Sequence, residues 1–406
     1  MVGGCRILFV SADKFPPFRA DVSVLFGQEL PKNGINIDWL LQSEGDCSSP
    51  YQTTYGRGRA WIGSTILGDR PLEKVHKHLL GIGNDLRMLR LLKKNDYDFV
   101  QVRNKVIAAL IALVACKGSK TKPTYWMSFP YAEASIYEAR SGTARYPAFY
   151  LLRGWIFSFF LYRLILPKMA HVFVQSEKMK EHVARKGIPV ERITSVPMGV
   201  KLSDIPFDAK GLCWSADREP RVVYLGTLNR MRQLDFLIRV IAKVRNKIDS
   251  VVIDLVGKGD DPEDLAMLLS EVKALNLKDA VRFVGFLPMD HAWEYVRQAR
   301  VCVSPICPTP ILNLGSPTKL IEYMAMGKPV VGNDHPEQKK VLTESGGGLC
   351  VEWDEQAFAD AIVEILSDPQ RAFEMGRKGR RYVERNRDYP LIAESVASKY
   401  LGLCHA

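Results

Sequence analysis

Lys319 and Glu322 are the residues of this chain whose type and spacing most directly suggest chemistry. They stand three apart in Gly315-Ser-Pro-Thr-Lys-Leu-Ile-Glu-Tyr-Met-Ala-Met-Gly-Lys-Pro-Val-Val331, which on a helix places a cation and a carboxylate on one face. The spacing has two readings. One is a surface ion pair worth about 0.2–0.5 kcal/mol. The other is an anion site, in which a lysine and free backbone N–H groups gather at a helix N-terminus. In that reading the carboxylate one turn further in takes the hydroxyls of a ribose. Spacing alone leaves both open, so the surroundings must decide.

The stretch itself is a helix with both ends marked. Pro317 suits the first turn, where a missing N–H costs nothing. Gly327 suits a left-handed C-terminal position. Pro329 blocks continuation, and Val330-Val331 open a buried strand. Leu320, Met324 and Gly327 share the face that should pack on a sheet. Ahead of it, short apolar runs alternate with helical patterns: strands at Arg221-Leu225, Ser250-Val256, Val281-Val284 and Val301-Ser304. The loops that follow these strands carry Arg232, Lys258 and Lys319, all cations, at the edge where α/β sheets bind ligands. A site with that charge fits a phosphorylated ligand. Gly257-Lys258-Gly259 does not extend to Gly-x-Gly-x-x-Gly, because position 262 is Pro262, and no Walker loop is present. Dinucleotide binding and P-loop hydrolysis thus lack their marks.

The first half of the chain repeats the pattern. A strand at Cys5-Ser11 leads to a loop with Arg19 and Asp21, then a helix over Val22-Lys32 and a strand at Ile35-Leu41. Residues 43–71 read as a long excursion with a short strand near Ala60-Ile62, and 72–94 as a basic helix. Tyr97-Val102 runs into Arg103, placed where a strand-end cation could meet a phosphate. Pro123-Ser128 leads to a loop with Glu133, read as a surface carboxylate with a general-base role as the sharper alternative. The most hydrophobic run is 149–166, 18 residues broken by Arg153 and Arg163. Arg153, Ser158 and Arg163 do not share a helical face, so a packed helix and an interfacial one both remain open. From Arg153 to Arg192 there are eight Lys or Arg and three Asp or Glu, net +5, which leans toward anionic headgroups.

Composition sets the outer bounds. With 406 residues, 47% hydrophobic and 25% charged, the chain is long enough for two globular domains. The net charge of +11 favours an anionic partner. No interleaved aromatic–basic pattern of the nucleic-acid kind accompanies it, so nucleic acid is not expected. Eight scattered cysteines without a Cys-x-x-Cys pair read as free thiols in a reducing compartment, and no metal site is expected. The N-terminus is too short and strand-like for a signal peptide, which predicts a cytoplasmic protein, peripheral at most on the inner face of the plasma membrane.

Two α/β units in tandem, with the blocks Ser316–Val331, Tyr224-Leu-Gly226 with Arg232, Phe283-Val-Gly-Phe286 and Pro197-Met-Gly-Val200, resemble the retaining GT-B glycosyltransferases of family four (glycosyl transferases group 1). The resemblance covers nearly the whole chain. It implies an α/β GT-B architecture of two Rossmann-like domains facing an interdomain cleft. The expected division is 1–203 for the acceptor domain, 204–219 for a linker, 220–386 for the donor domain and 387–406 for a helix crossing back to the first. It implies that Glu322 holds the ribose of a UDP- or GDP-linked sugar and that Arg232 and Lys319 meet its diphosphate. Gly226, Thr227, Lys258, Phe286, Leu314, Gly315, Ser316, Pro317 and Thr318 then line the donor site, and Arg19, Asp21, Arg103, Ser128 and Glu133 the acceptor side. Departures fall at Leu314 and Thr227, where the family has Glu and Arg, and at Ser128, where a His is frequent. The Gly-Gly acceptor loop is replaced by Arg19-Ala-Asp-Val-Ser23. The implied function is sugar transfer from a nucleotide sugar, with no other cofactor, to a lipid-linked or glycan acceptor in cell-surface polysaccharide biosynthesis. A nucleotide-sugar epimerase on the same fold and a non-catalytic sugar-binding protein are the alternatives.

Overall fold

The computed structural model describes residues 4–68, 70–207 and 219–405. Most of the expected linker, 208–218, lies outside the described residues. The chain forms two compact units, Met1–Pro197 with Tyr389–Ala406, and Met198–Asp388. The change of unit therefore falls at Pro197, ahead of the expected 203. Met198–Asp204 belongs with the second unit, where Val200 bridges to Asp388.

Unit 1 is built on eight strands: β1 (Cys5–Phe15), β2 (Ile35–Ser43), β3 (Tyr51–Tyr55), β4 (Gly58–Gly63), β5 (Phe99–Arg103), β6 (Lys122–Met127), β7 (His171–Val174) and β8 (Ile193–Ser195). Their order is β3-β4-β2-β1-β5-β6-β7-β8. All neighbours are parallel except β3 and β4. β1 reads as a continuous apolar run because both faces of a parallel sheet are covered, and Ile7, Leu8, Phe9 and Val10 are fully buried. The excursion 43–71 contains the β3–β4 hairpin, and only β4 overlaps the expected short strand. The expected Val22–Lys32 helix is split into a π-helix, Asp21–Glu29, and a 3-10 turn, Leu30–Asn33. Pro31 enters at the junction, where it has no N–H to continue a regular ladder. Gly34, at φ 78°, then turns the chain into β2.

The last helix, Tyr389–His405, completes this unit. Tyr389, Ile392, Ala393, Val396, Ala397 and Tyr400 recur at helical spacing and are buried among Phe9, Phe26, Trp39, Phe99, Trp126 and Phe173. The Tyr400 ring lies 5.3 Å from Phe99 and 5.0 Å from Phe173. Its hydroxyl donates to Gln101 Oε1, so this polar group is not stranded in the core.

Unit 2 has six parallel strands: β9 (Arg221–Leu225), β10 (Val252–Val256), β11 (Val281–Gly285), β12 (Val301–Ser304), β13 (Val330–Asn333) and β14 (Gly348–Val351), ordered β11-β10-β9-β12-β13-β14. The chain fills one side of β9, then crosses to β12, so the order reverses between β9 and β12. Alternate residues of β9 serve opposite faces. Val222 and Tyr224 join a core with the helices Asp235–Arg245 and Glu355–Ser367, while Val223 joins one with Met289–Gln298 and Thr318–Ala325.

The last helix yields a test. Tyr400→Ala removes a fully buried aromatic ring and is expected to cost about 3–5 kcal/mol, read as a lowered midpoint in chemical denaturation. Tyr400→Phe keeps the ring, and Thr124 Oγ1 still donates to Gln101 Oε1 at 2.8 Å, so it should lose only the net worth of one hydrogen bond, about 0.5–1.5 kcal/mol.

Candidate functional site

The point where strand order reverses is where open α/β sheets bind ligands, and in unit 2 it is prepared by backbone geometry. β9 pairs with β12 only at Val222↔Val301 and Val223↔Cys302, then the two strands part. The gap leaves Leu225 without a strand partner on that side. The Tyr323 hydroxyl fills it, accepting from Leu225 N at 2.7 Å and donating to Leu225 O at 3.4 Å. On the other side the loops are stacked by backbone hydrogen bonds, Gly226 N to Val256 O and Gly257 N to Gly285 O, both 2.9 Å. Gly226 (φ 153°) and Gly257 (φ 147°) take conformations that favour glycine, and a Cβ on Gly257 would meet Gly226 O at 1.9 Å.

Onto this floor the helix Thr318–Ala325 brings Lys319 and Glu322. They form no ion pair with each other, so the surface-pair reading does not describe them. Lys319 Nζ turns inward, 3.9 Å from the centre of the Tyr224 ring and 3.0 Å from where a Gly226 Cβ would sit. Burial, then the neighbouring positive charge of Arg232, hold its ammonium well below the ordinary lysine range, against the pull of Glu322. Burial pushes the Glu322 carboxyl up to about 7, against the pull of Lys319. Arg232 comes from a short 3-10 turn, Arg230–Arg232, closed by Gln233 at φ 49°. Among the described residues no carboxylate lies within ion-pair distance of Arg232 or Lys319. A desolvated lysine beside a half-buried arginine, neither with a counter-ion, forms a site complementary to an anion.

The other expected donor-side residues take varied places. Pro317 is the N-cap rather than the first helical residue, with φ −75° and ψ 116°, and offers no side chain to cap the helix. Thr318 is therefore the first helical residue, and the first N–H groups receive no side-chain cap. The Ser316 hydroxyl is occupied, accepting from Met198 N at 2.9 Å. Leu314 is buried, and Gly315 at φ −78° needs no glycine. Thr227 is exposed; its carbonyl accepts from the Tyr224 hydroxyl at 3.1 Å. Lys258 Nζ lies 5.3 Å from the centre of the Phe286 ring, which is 69% exposed and free to stack on a planar ligand.

Three buried polar residues that sequence reading passed over hold the loop ahead of this helix. Asn333 makes a two-point contact with Ile306, accepting from its N–H at 2.8 Å and donating to its C=O at 2.9 Å. Gln338 donates to Ser304 O at 3.0 Å, and His335 Nε2 meets Leu312 O at 2.9 Å. The readable signal was polar residues closing an apolar strand, Val330-Val-Gly-Asn333.

Unit 1 presents a different picture. Arg103, expected as a free strand-end cation, is buried between Asp13 (2.8 Å) and Asp21 (2.9 Å). Asp21 also takes Arg19 at 3.1 Å and Gln175 at 3.3 Å. Arg103 is thus neutralised and fixes the loop after β1, while Arg19 keeps a half-exposed side chain. Ser128 is buried and bonded to Asn104 through N–H and hydroxyl. Glu133 is no surface carboxylate: its Oε1 takes Tyr162 at 2.7 Å and His182 at 3.0 Å. Burial pushes Glu133 upward, but the bonds from His182 and Tyr162 outweigh it and hold the carboxyl below its ordinary value. Cys5, Asp98 and Cys404 bring ligand atoms within 4.8 Å of one another. They lie at the amino-terminal end of β1, away from the carboxyl-edge loops of their own unit.

Comparison with known proteins gives this geometry its context. Residues 22–204 match the model described as Glycosyltransferase Family 4, and residues 219–368 the one described as Glycosyl transferases group 1. The chain is 27% identical, over 98% of both chains, to the GDP-mannose-dependent alpha-(1-6)-phosphatidylinositol monomannoside mannosyltransferase of Mycobacterium tuberculosis. It is 24% identical, over 44% of this chain and 43% of the relative, to the amylovoran biosynthesis glycosyltransferase AmsK of Erwinia amylovora. Its fold is similar to that of sucrose-phosphate synthase from Thermosynechococcus elongatus, with a TM-score of 0.74, 21% identity and coverage of 98% and 99%. The Anabaena HepE structure in complex with UDP-glucose gives 0.66, 14% identity and coverage of 98% and 99%. With two Rossmann-like units of the GT-B type and both family models matched in order along it, the chain belongs to glycosyltransferase family 4.

Proposed function

We propose that the chain transfers a hexosyl group, with retention, from a nucleoside-diphosphate sugar to a lipid-linked or polysaccharide acceptor in cell-surface glycan synthesis. It would do so as a peripheral protein on the cytoplasmic face of a membrane. The observation that carries the reading is the uncompensated pair Arg232–Lys319 at the strand reversal of unit 2. A full-length relative named for GDP-mannose and a phosphatidylinositol mannoside argues for a glycolipid acceptor. A structural neighbour binding UDP-glucose keeps uridine donors in the panel.

Retaining transfer without a protein nucleophile asks chiefly for stabilisation of the leaving diphosphate. As the sugar–oxygen bond breaks, negative charge gathers on the phosphate oxygens. Lys319, seated against the Tyr224 ring, and the uncapped N–H groups at Thr318 stand in place before that charge develops, and half-buried Arg232 adds its charge beside them. Glu322, one turn in, takes the ribose hydroxyls in its ionised form. Phe286 offers a face to the base. Positive charge from the protein itself fills the part a metal ion plays elsewhere, and transfer is expected to persist in EDTA.

The decisive experiment is a thermal-shift screen against GDP-mannose, UDP-glucose and related donors, with inorganic pyrophosphate as reference. A donor at a hundred times its Kd should add about 2.7 kcal/mol to stability, and silence across the panel would sink the reading. Arg232→Ala and Glu322→Ala should each lower transfer by about a hundredfold; full activity in either removes that residue from the assignment. Nucleotide affinity should depend on pH in two senses, because binding wants Lys319 charged and Glu322 ionised. Titration calorimetry should show affinity rising as pH passes through about 7, where Glu322 gives up its proton, and falling as Lys319 loses its own at a pH well below the ordinary lysine range. Glu322→Gln should erase the first limb and keep the second.

A further inference from the structure

The run 149–166 does not hide in the core. It forms the helix Pro147–Phe159, continued by the π-helix Phe160–Ile165. Its outer face exposes Tyr146, Phe149 (60%), Leu152, Trp155 (53%), Ile156 and Phe159 (57%). These follow one another at helical spacing, on a single side. The inner face is fixed. A Cβ at Gly154 would meet Ile136 at 2.6 Å and Ala132 O at 2.9 Å, so the helix lies directly on the helix Tyr131–Arg140. Arg153, which breaks the apolar wheel in the sequence, folds back from the outer face. Its guanidinium donates to Ser135 Oγ at 2.6 Å and lies 4.5 Å from the centre of the Tyr150 ring.

Charge identifies what covers this face. Between Glu138 and Glu177 there is no Asp or Glu, but there are five Lys or Arg: Arg140, Arg145, Arg153, Arg163 and Lys168. Four of these, all but Arg153, are exposed. A second copy docking here would bring two such cation sets together with no carboxylate of the segment to neutralise them. An anionic bilayer meets both features, taking apolar rings at the acyl boundary and cations at the headgroups. The helix Pro147–Lys168 is 22 residues long, enough by length and composition to cross. Yet Leu161, Tyr162 and Ile165 are buried in unit 1, and two arginines fall within the span, so it lies along the surface rather than through it.

We propose that the outer face of Pro147–Phe159, with its ring of cations, seats unit 1 on an anionic lipid bilayer. The proposal rests on the lipid-linked acceptor of the proposed function for its purpose, and on the exposed face alone for its binding. Placement supports it further. β6 ends at the carboxyl edge of the sheet, where Tyr131–Arg140 begins, and Gly154 packs at that level. Residues 147–153 therefore stand about 10 Å beyond the edge at 1.5 Å per residue. This is the edge of unit 1 that carries Arg19, Ser128 and Glu133. Seating the face brings those residues to the headgroup layer, where a lipid-linked acceptor presents its sugar.

Flotation of the full chain with phosphatidylcholine vesicles, with and without phosphatidylglycerol, tests the seat. The protein should float with the anionic vesicles, and added salt should weaken this. Trp155→Ser with Phe159→Ser should reduce binding by about tenfold or more, and Arg145→Glu with Lys168→Glu should do likewise. Both pairs are exposed, so melting temperature and the nucleotide-induced shift should match the parent protein. The proposal falls if the parent stays with neither vesicle at low salt, or if the Trp155→Ser, Phe159→Ser protein floats as the parent does. It falls equally if those substitutions abolish a dimer formed in vesicle-free buffer. Flotation without any nucleotide-induced shift leaves the seat standing and defeats the donor reading; the reverse pattern does the opposite.

Discussion

The parting of β9 from β12 after two residue pairs is the constraint on which the second unit depends. A sheet whose strand order reverses must open somewhere, and the opening strands backbone groups that would otherwise pair. Here a single tyrosine hydroxyl, from the helix that carries Lys319 and Glu322, answers both groups of Leu225. The helix is therefore registered on the end of β9 by the defect it repairs. The gap lets a ligand approach, and the side chain that closes its base positions the residues that would greet that ligand. Gly226 and Gly257 complete the arrangement from the other side, since any Cβ on Gly257 would push the two loops apart.

The two units treat the same residue type in opposite ways. Arg103 at the end of β5 is buried between two carboxylates, and its charge is spent inside the protein. Arg232 and Lys319 are given no such partner, and Lys319, desolvated, also feels the positive charge of Arg232. Keeping a cation desolvated and unpaired costs stability. Natural proteins tolerate such sites where a ligand supplies the missing charge. Glu322 shows the same tension, with a carboxyl whose burial lifts it to about 7. At these strand ends unit 1 pairs its buried cation with carboxylates, and unit 2 leaves Lys319 without one.

Much of this was legible in the sequence. The alternation of apolar runs and helical periods gave the strands of both units, because parallel strands covered on both faces read as unbroken runs. The marked ends of the Thr318–Ala325 helix gave its bounds to within a residue or two, Gly327 at φ 70° included. What pattern could not give were pairings between distant residues. Arg103 looks free until Asp13 and Asp21 are folded onto it. Glu133 looks exposed until Tyr162 and His182 arrive. Arg153 breaks the helical wheel until its guanidinium is seen turned toward Ser135. The hairpin β3–β4 was blurred by polar residues, since β3 lies at the sheet's outer edge with little to bury.

The hold of Asn333, His335 and Gln338 on the loop from Ser304 to Leu312 has a consequence in the order of synthesis. The loop precedes its anchors in the chain. As the polypeptide emerges from the ribosome, Arg232, Lys319 and Glu322 are all present before anything fixes the segment that leads into their helix. Only when β13 has docked and the turn after it has formed do Ile306 and Leu312 find their partners. A chain halted just short of Asn333 would thus own every cation of the site, and the tyrosine that registers their helix, and still lack the anchors of the loop leading into it.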